Sequence, residues 1–114
     1  MKVPVRLLDP GIFFDAASGL GAVLQAQGGA LQIYCTGLGT MHLSIATGLL
    51  ETVARPRVFI GGKEAELLYS GEAPGFKGLN QVNAKIPEGV TTGLQSLEIR
   101  LENAASNQVM VELR

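Results

Sequence analysis

Apolar and polar side chains alternate along short runs of this chain, and each run ends at glycine, proline or asparagine. Leu97, Ile99 and Leu101 alternate with Ser96, Glu98, Arg100 and Glu102. Val109, Val111 and Leu113 alternate with Gln108, Glu112 and Arg114, leaving Met110 on the outward side. Val82, Ala84 and Ile86 alternate with Gln81, Asn83 and Lys85 until Pro87 and Gly89 stop the run. A period of two belongs to an extended strand with one buried and one wet face, and no window carries a sustained 3.6-residue period.

Turn chemistry joins these runs into hairpins. Pro74-Gly75 suits a type II turn, with proline pre-setting φ at the first central position and glycine accepting positive φ at the second. Gly28-Gly29 and Gly61-Gly62 each suit a two-residue primed turn. In the first hairpin, pairing outward from the glycines sets Ala26 against Leu31, Leu24 against Ile33 and Ala22 against Cys35 on one face, with Gln25 against Gln32 on the other. In the second, Val58 meets Ala65 on the inner side and Arg57 meets Glu66 on the outer. Asn103 to Asn107 forms the turn of a carboxy-terminal hairpin.

Other stretches are less patterned. Val3, Val5 and Leu7 make a first strand, and Pro4 marks it as an edge, where a missing N–H is tolerated. Ile12, Phe13 and Phe14 form an apolar clump expected to plug one end of the core. Residues 41–55 alternate weakly and read as one irregular strand plus loop. Seven or eight antiparallel strands with regular turns predict one all-β domain over residues 1–114, an immunoglobulin-like β-sandwich, with a small barrel as the alternative. Outward charged rows and Pro4 favour the sandwich, because a closed barrel has no edges to protect.

Composition narrows the function classes more than it selects among them. With 114 residues the chain is long enough for one core. A net charge of -1 and 17% charged residues provide no basic footprint, so no nucleic-acid partner is expected. Ala16 to Leu50 lacks Asp, Glu, Lys and Arg, yet glycines and polar residues interrupt it, so no membrane span is expected. The first residues, Met1 to Arg6, lack the apolar core of a signal peptide.

Several blocks together carry a resemblance. They are Pro10-Gly11-Ile12-Phe13, Ile33 to Gly39, Val58 to Gly62, Leu68 to Gly71, Ala73 to Phe76 and Gln81-Val82-Asn83. In this order they resemble the Solibacter-type C-terminal domains, an uncharacterised bacterial family similar to IPT/TIG immunoglobulin-like modules. Leu68 to Pro87 is the most specific block. The resemblance implies a non-catalytic structural, spacer or adhesion module of an exported bacterial protein, secreted or at the cell surface. Its partners would be neighbouring domains of a longer chain or a second copy of itself. Here Gly28-Gly29 replaces the longer polar loop usual in that family, and no preceding polypeptide is visible before Met1.

Candidate chemistry is sparse. His42 is the only histidine and Cys35 the only cysteine, so neither a zinc cluster nor a catalytic triad is expected, and no disulfide can form within the chain. Cys35 falls on an aliphatic strand face, where an inert thiol is the default. Glu64 with Glu66, and Glu98 with Glu102, present paired carboxylates, but Arg57 and Arg100 stand ready as counter-charges. No catalytic residue, metal or cofactor is expected. The candidate surface ligand contacts are Tyr69, Asn80, Gln81 and Asn83, for a glycan or a protein. Carbohydrate binding is the alternative function; with no tryptophan, Tyr34 and Tyr69 are the amphipathic aromatics available for stacking on sugar rings.

Overall fold

The computed structural model describes residues 10–26 and 28–114. The strand expected at Val3–Leu7, with its edge Pro4, lies outside them. No helix occurs among the described residues, and the fold is all-β and antiparallel, as the two-residue periods require. Eleven strands form among the described residues: β1 (Gly11–Ile12), β2 (Val23–Ala26), β3 (Ala30–Thr36), β4 (Met41–Leu43), β5 (Leu50–Thr52), β6 (Arg57–Ile60), β7 (Lys63–Glu72), β8 (Asn80–Lys85), β9 (Gly93–Leu101), β10 (Ala104–Ala105) and β11 (Val109–Leu113). Several are only two or three residues long, which raises the number above the expected seven or eight.

The long strand β7 belongs to both halves of the molecule. Its first residues pair with β6, Val58 opposite Ala65, and its later residues pair with β8, Tyr69 opposite Asn83. One continuous sheet therefore runs β1-β3-β8-β7-β6-β9-β10 and curls on itself, rather than two independent sheets stacking. On the far side β11 pairs with β9, and Met110 meets Leu20 in a short parallel bridge just before β2. Three hydrogen-bonded devices draw this seam together. The Asn107 side-chain amide both accepts from the Ile12 N–H (2.8 Å) and donates to the Ile12 carbonyl (3.0 Å). Met110 N–H donates to the Gly19 carbonyl (2.9 Å) and Gly21 N–H to the Met110 carbonyl (2.8 Å). The Gln25 amide then accepts from Arg114 N–H (3.0 Å) and donates to its carbonyl (3.2 Å). At each end of the seam a side-chain amide takes the place of a peptide group in the ladder.

Inside the curl, Leu31, Ile33, Cys35, Val58, Ile60, Val82, Ala84, Leu97 and Ile99 are fully buried, with Leu101 and the β11 side chains Val109, Val111 and Leu113 beside them. These are the inward positions of the predicted alternation. The Pro-Gly turn closes as expected: Phe76 N–H donates to the Ala73 carbonyl (3.0 Å) and Gly75 holds φ 82°. The hairpin at Gly61-Gly62 also keeps its two-residue loop, with Ile60 opposite Lys63.

Five local expectations are corrected. In the β2–β3 hairpin Ala26 pairs with Ala30 and Val23 with Ile33, one residue out of the expected register. Three residues rather than two span the turn, and Leu24 moves to the outer face, where it is 57% exposed. Residues 41–55 form a second hairpin, β4 with β5, touching the rest of the sheet through Glu51 opposite Gly71. Of the apolar clump only Ile12 enters the core, while Phe13 and Phe14 are exposed. Arg57 bonds diagonally to Glu64 (2.7 Å) rather than to Glu66, which lies opposite Lys85 on β8. The carboxy-terminal turn tightens to Glu102-Asn103, and Ala104 and Ala105 already pair with β9.

Candidate functional site

The outer face of the β2-β3-β8-β7 half holds most of the predicted contacts. Gln81 and Asn83 are two residues apart on β8 and share that face, and Gln81 Nε2 donates to Asn83 Oδ1 (2.9 Å). Across the sheet Tyr34 lies opposite Gln81, and Gln32 lies opposite Asn83. Tyr69 reaches the same face through a register shift between Leu67 and Tyr69. Without that bulge the core-facing Leu67 would place Tyr69 on the inner side, since side chains two residues apart share a face. Leu68 is the residue displaced to the surface, 51% exposed.

Asn80 departs from this group. It shares the inward face of Val82 and is buried at the end of the curl, beside Gly37, Gly39, Thr40 and Glu72 around an open depression of about 500 Å³. The four predicted contacts are thus split: Tyr69, Gln81 and Asn83 lie together, and Asn80 lies behind them.

Tyr69 lies along its own strand. Its hydroxyl donates to the Glu72 carbonyl (2.8 Å) and lies 2.6 Å from where a Cβ on Gly71 would stand. Burial, together with the Glu51 and Glu72 carboxylates, raises its phenol above the usual tyrosine range.

Beside Tyr34 the outer face deepens into a groove of about 450 Å³ lined by Gly21, Ala22, Val23, Leu24, Tyr34, Phe76 and Leu79. Phe76, set just after the Pro74-Gly75 turn, is 63% exposed. Leu24, Phe76 and Leu79 were not among the predicted contacts. Phe76 follows directly from the turn that the sequence marks, whereas Leu24 faces outward only because of the three-residue loop at Gly28-Gly29.

Comparison with protein-family models, curated proteins and solved structures finds no match to the chain.

The remaining candidates are dispersed. His42 is exposed on β4 opposite Glu51, whose carboxylate is held below its ordinary range first by the Thr47 hydroxyl (2.7 Å). Arg57 pairs with Glu64, and Arg100 with Glu98 (2.8 Å); both guanidinium groups also lie over the Phe59 ring, at 5.2 and 4.3 Å. Among the described residues no three His, Cys, Asp or Glu side chains gather as a metal site.

Cys35 is fully buried, and burial pushes its thiol up to about 12. The thiolate is the reactive form, so native protein is expected to resist iodoacetamide near neutral pH and to be alkylated only after denaturation. Mass spectrometry with and without urea reads this directly, and alkylation of folded protein would contradict the buried placement.

Proposed function

We propose that the chain is a non-catalytic, immunoglobulin-like module that joins or spaces domains in an exported bacterial protein. Two features support the immunoglobulin-like part. One half of the curled sheet runs β2-β3-β8-β7 and the other β11-β9-β6, matching the ABED and GFC orders of that architecture. The exported bacterial setting rests on the sequence resemblance.

The observation that carries the interaction role is the β4–β5 arm. Ile45 at its tip is fully exposed, Leu43 is 65% and Val53 60% exposed, and the arm joins the sheet through β5 alone, by the pair Glu51 and Gly71 and the Thr52–Ser70 hydrogen bond. An apolar arm held away from its own core is suited to packing on another surface. A neighbouring domain or a second copy would cover it. Replacing Leu43, Ile45 and Val53 by serine or threonine is expected to leave the midpoint of urea unfolding nearly unchanged while removing concentration-dependent association in sedimentation velocity. If the unmodified module, alone and joined to its flanking domains, leaves the arm equally open to hydrogen exchange, the proposal fails.

A further inference from the structure

We infer that the outer face of β3 and β8, with the groove beside it, is a binding site for a ring of a neutral carbohydrate. The inference does not rest on the β4–β5 arm, which lies on a different strand pair. Its starting point is Gln81, which is only 9% exposed although it faces outward. One of its amide hydrogens is committed to Asn83 Oδ1. Gln81 Oε1 and Asn83 Nδ2 have no hydrogen-bond partner among the described residues, yet no side-chain polar atom there is both enclosed and unpaired. The two amides therefore hold each other in place and offer outward one acceptor and one donor, side by side. Adjacent hydroxyl groups on a sugar ring, each able to give and to accept a hydrogen bond, complement such a pair.

The surroundings fit the same ligand. Tyr34, directly opposite Gln81, also lines the groove, and exposed Phe76 forms part of the same wall. An aromatic ring of this kind packs on the apolar C–H face of a sugar while the amides take its hydroxyls. The groove volume of about 450 Å³ lies within the range of small-molecule sites, roughly 300–1,000 Å³. Charge decides against other ligands. No Asp, Glu, Lys or Arg lines the groove, nor occurs among Gln32, Tyr34, Gln81, Asn83 and Tyr69. The strand pairing places three charges on this face: Lys85 and Glu66, which sit opposite each other and are of opposite sign, and Glu51, opposite Gly71 and two strands from Gln81. A phosphate or carboxylate bound here would lose water without gaining a counter-charge.

The test is an array of neutral glycans probed with the whole chain, followed by NMR titration with cello-, xylo-, laminari- and chito-oligosaccharides. Binding is expected to perturb the amide signals of Gln81 and Asn83, and to weaken about tenfold or more in Gln81→Leu and in Phe76→Ala. Phe76 lies in an exposed loop, so its variant separates lost binding from lost folding. Leu94→Ala, at an exposed position near the start of β9, should bind as the parent does. No hit among neutral glycans, binding that survives both substitutions, or occupation of the groove by an apolar peptide instead would overturn the inference. Any of these outcomes leaves the association test of the β4–β5 arm unaffected.

Discussion

Gly71→Ala is expected to lower stability by about 3 kcal/mol, or to release the β4–β5 arm from the sheet, because a methyl group at this position has nowhere to go. Its Cβ would stand 2.2 Å from the Leu50 carbonyl oxygen, 2.6 Å from the Tyr69 hydroxyl and 2.9 Å from the Glu51 Cα. Two of these are backbone atoms and cannot swing aside as a side chain would. The arm's contact with the sheet runs through this point, Glu51 opposite Gly71, supported by Thr52 Oγ1 donating to Ser70 Oγ (2.7 Å). Lifting β5 is the smaller rearrangement, since the arm contributes few buried apolar groups. Hydrogen exchange should therefore accelerate across residues 50–52 before it does in β8 or β9. Gly11→Ala is the control: among the described residues its Cβ would meet only the Thr36 hydroxyl, at 3.7 Å, in ordinary contact. If both variants unfold at the same urea concentration with unchanged exchange in β5, the close approach at Gly71 is not a constraint.

The same comparison of local and long-range forces explains which parts of the fold were legible in the sequence. The β6–β7 hairpin was readable because Gly61-Gly62 favours one turn geometry and that turn sets the register, while Pro74-Gly75 marks where the chain reverses between β7 and β8, inside the loop from Ala73 to Leu79. Gly28-Gly29 favours positive φ without setting loop length, so β2 slipped by one residue and Leu24 changed faces. The β4–β5 hairpin was illegible because alternation records burial, and most of this hairpin buries little. At the candidate site, a period of two already places Gln81 and Asn83 together and Asn80 opposite. Tyr69 joins them only through the bulge at Leu68. The run Leu67-Leu68-Tyr69, three large residues in a row, is the trace it leaves in the sequence. The groove itself was not readable, because it needs the outward turn of Leu24 and the loop carrying Phe76.

The second large effect is expected at Ser106, where a hydroxyl stands in for a missing ladder partner. Between the pairs Ala105 with Arg100 and Val109 with Leu97, three residues face two, and the ladder would leave Ile99 N–H without an acceptor. Ser106 Oγ accepts that N–H (2.8 Å) and donates onward to the Asn107 carbonyl (2.9 Å), while Ser106 N–H reaches the Ile99 carbonyl (2.7 Å). Ile99 is fully buried, so water cannot replace the hydroxyl. Ser106→Ala should therefore cost about 2 kcal/mol, the penalty for an enclosed donor left unpaired. Asn107→Ala and Gln25→Ala remove comparable bonds at the seam, but both side chains are exposed, and water can take over much of their role. Each should cost less, with Gln25 the smallest because Arg114 is exposed as well. Urea unfolding of the three variants should rank Ser106 first, Asn107 second and Gln25 last; a reversal would mean that the bulge, and not the seam, is the part open to water.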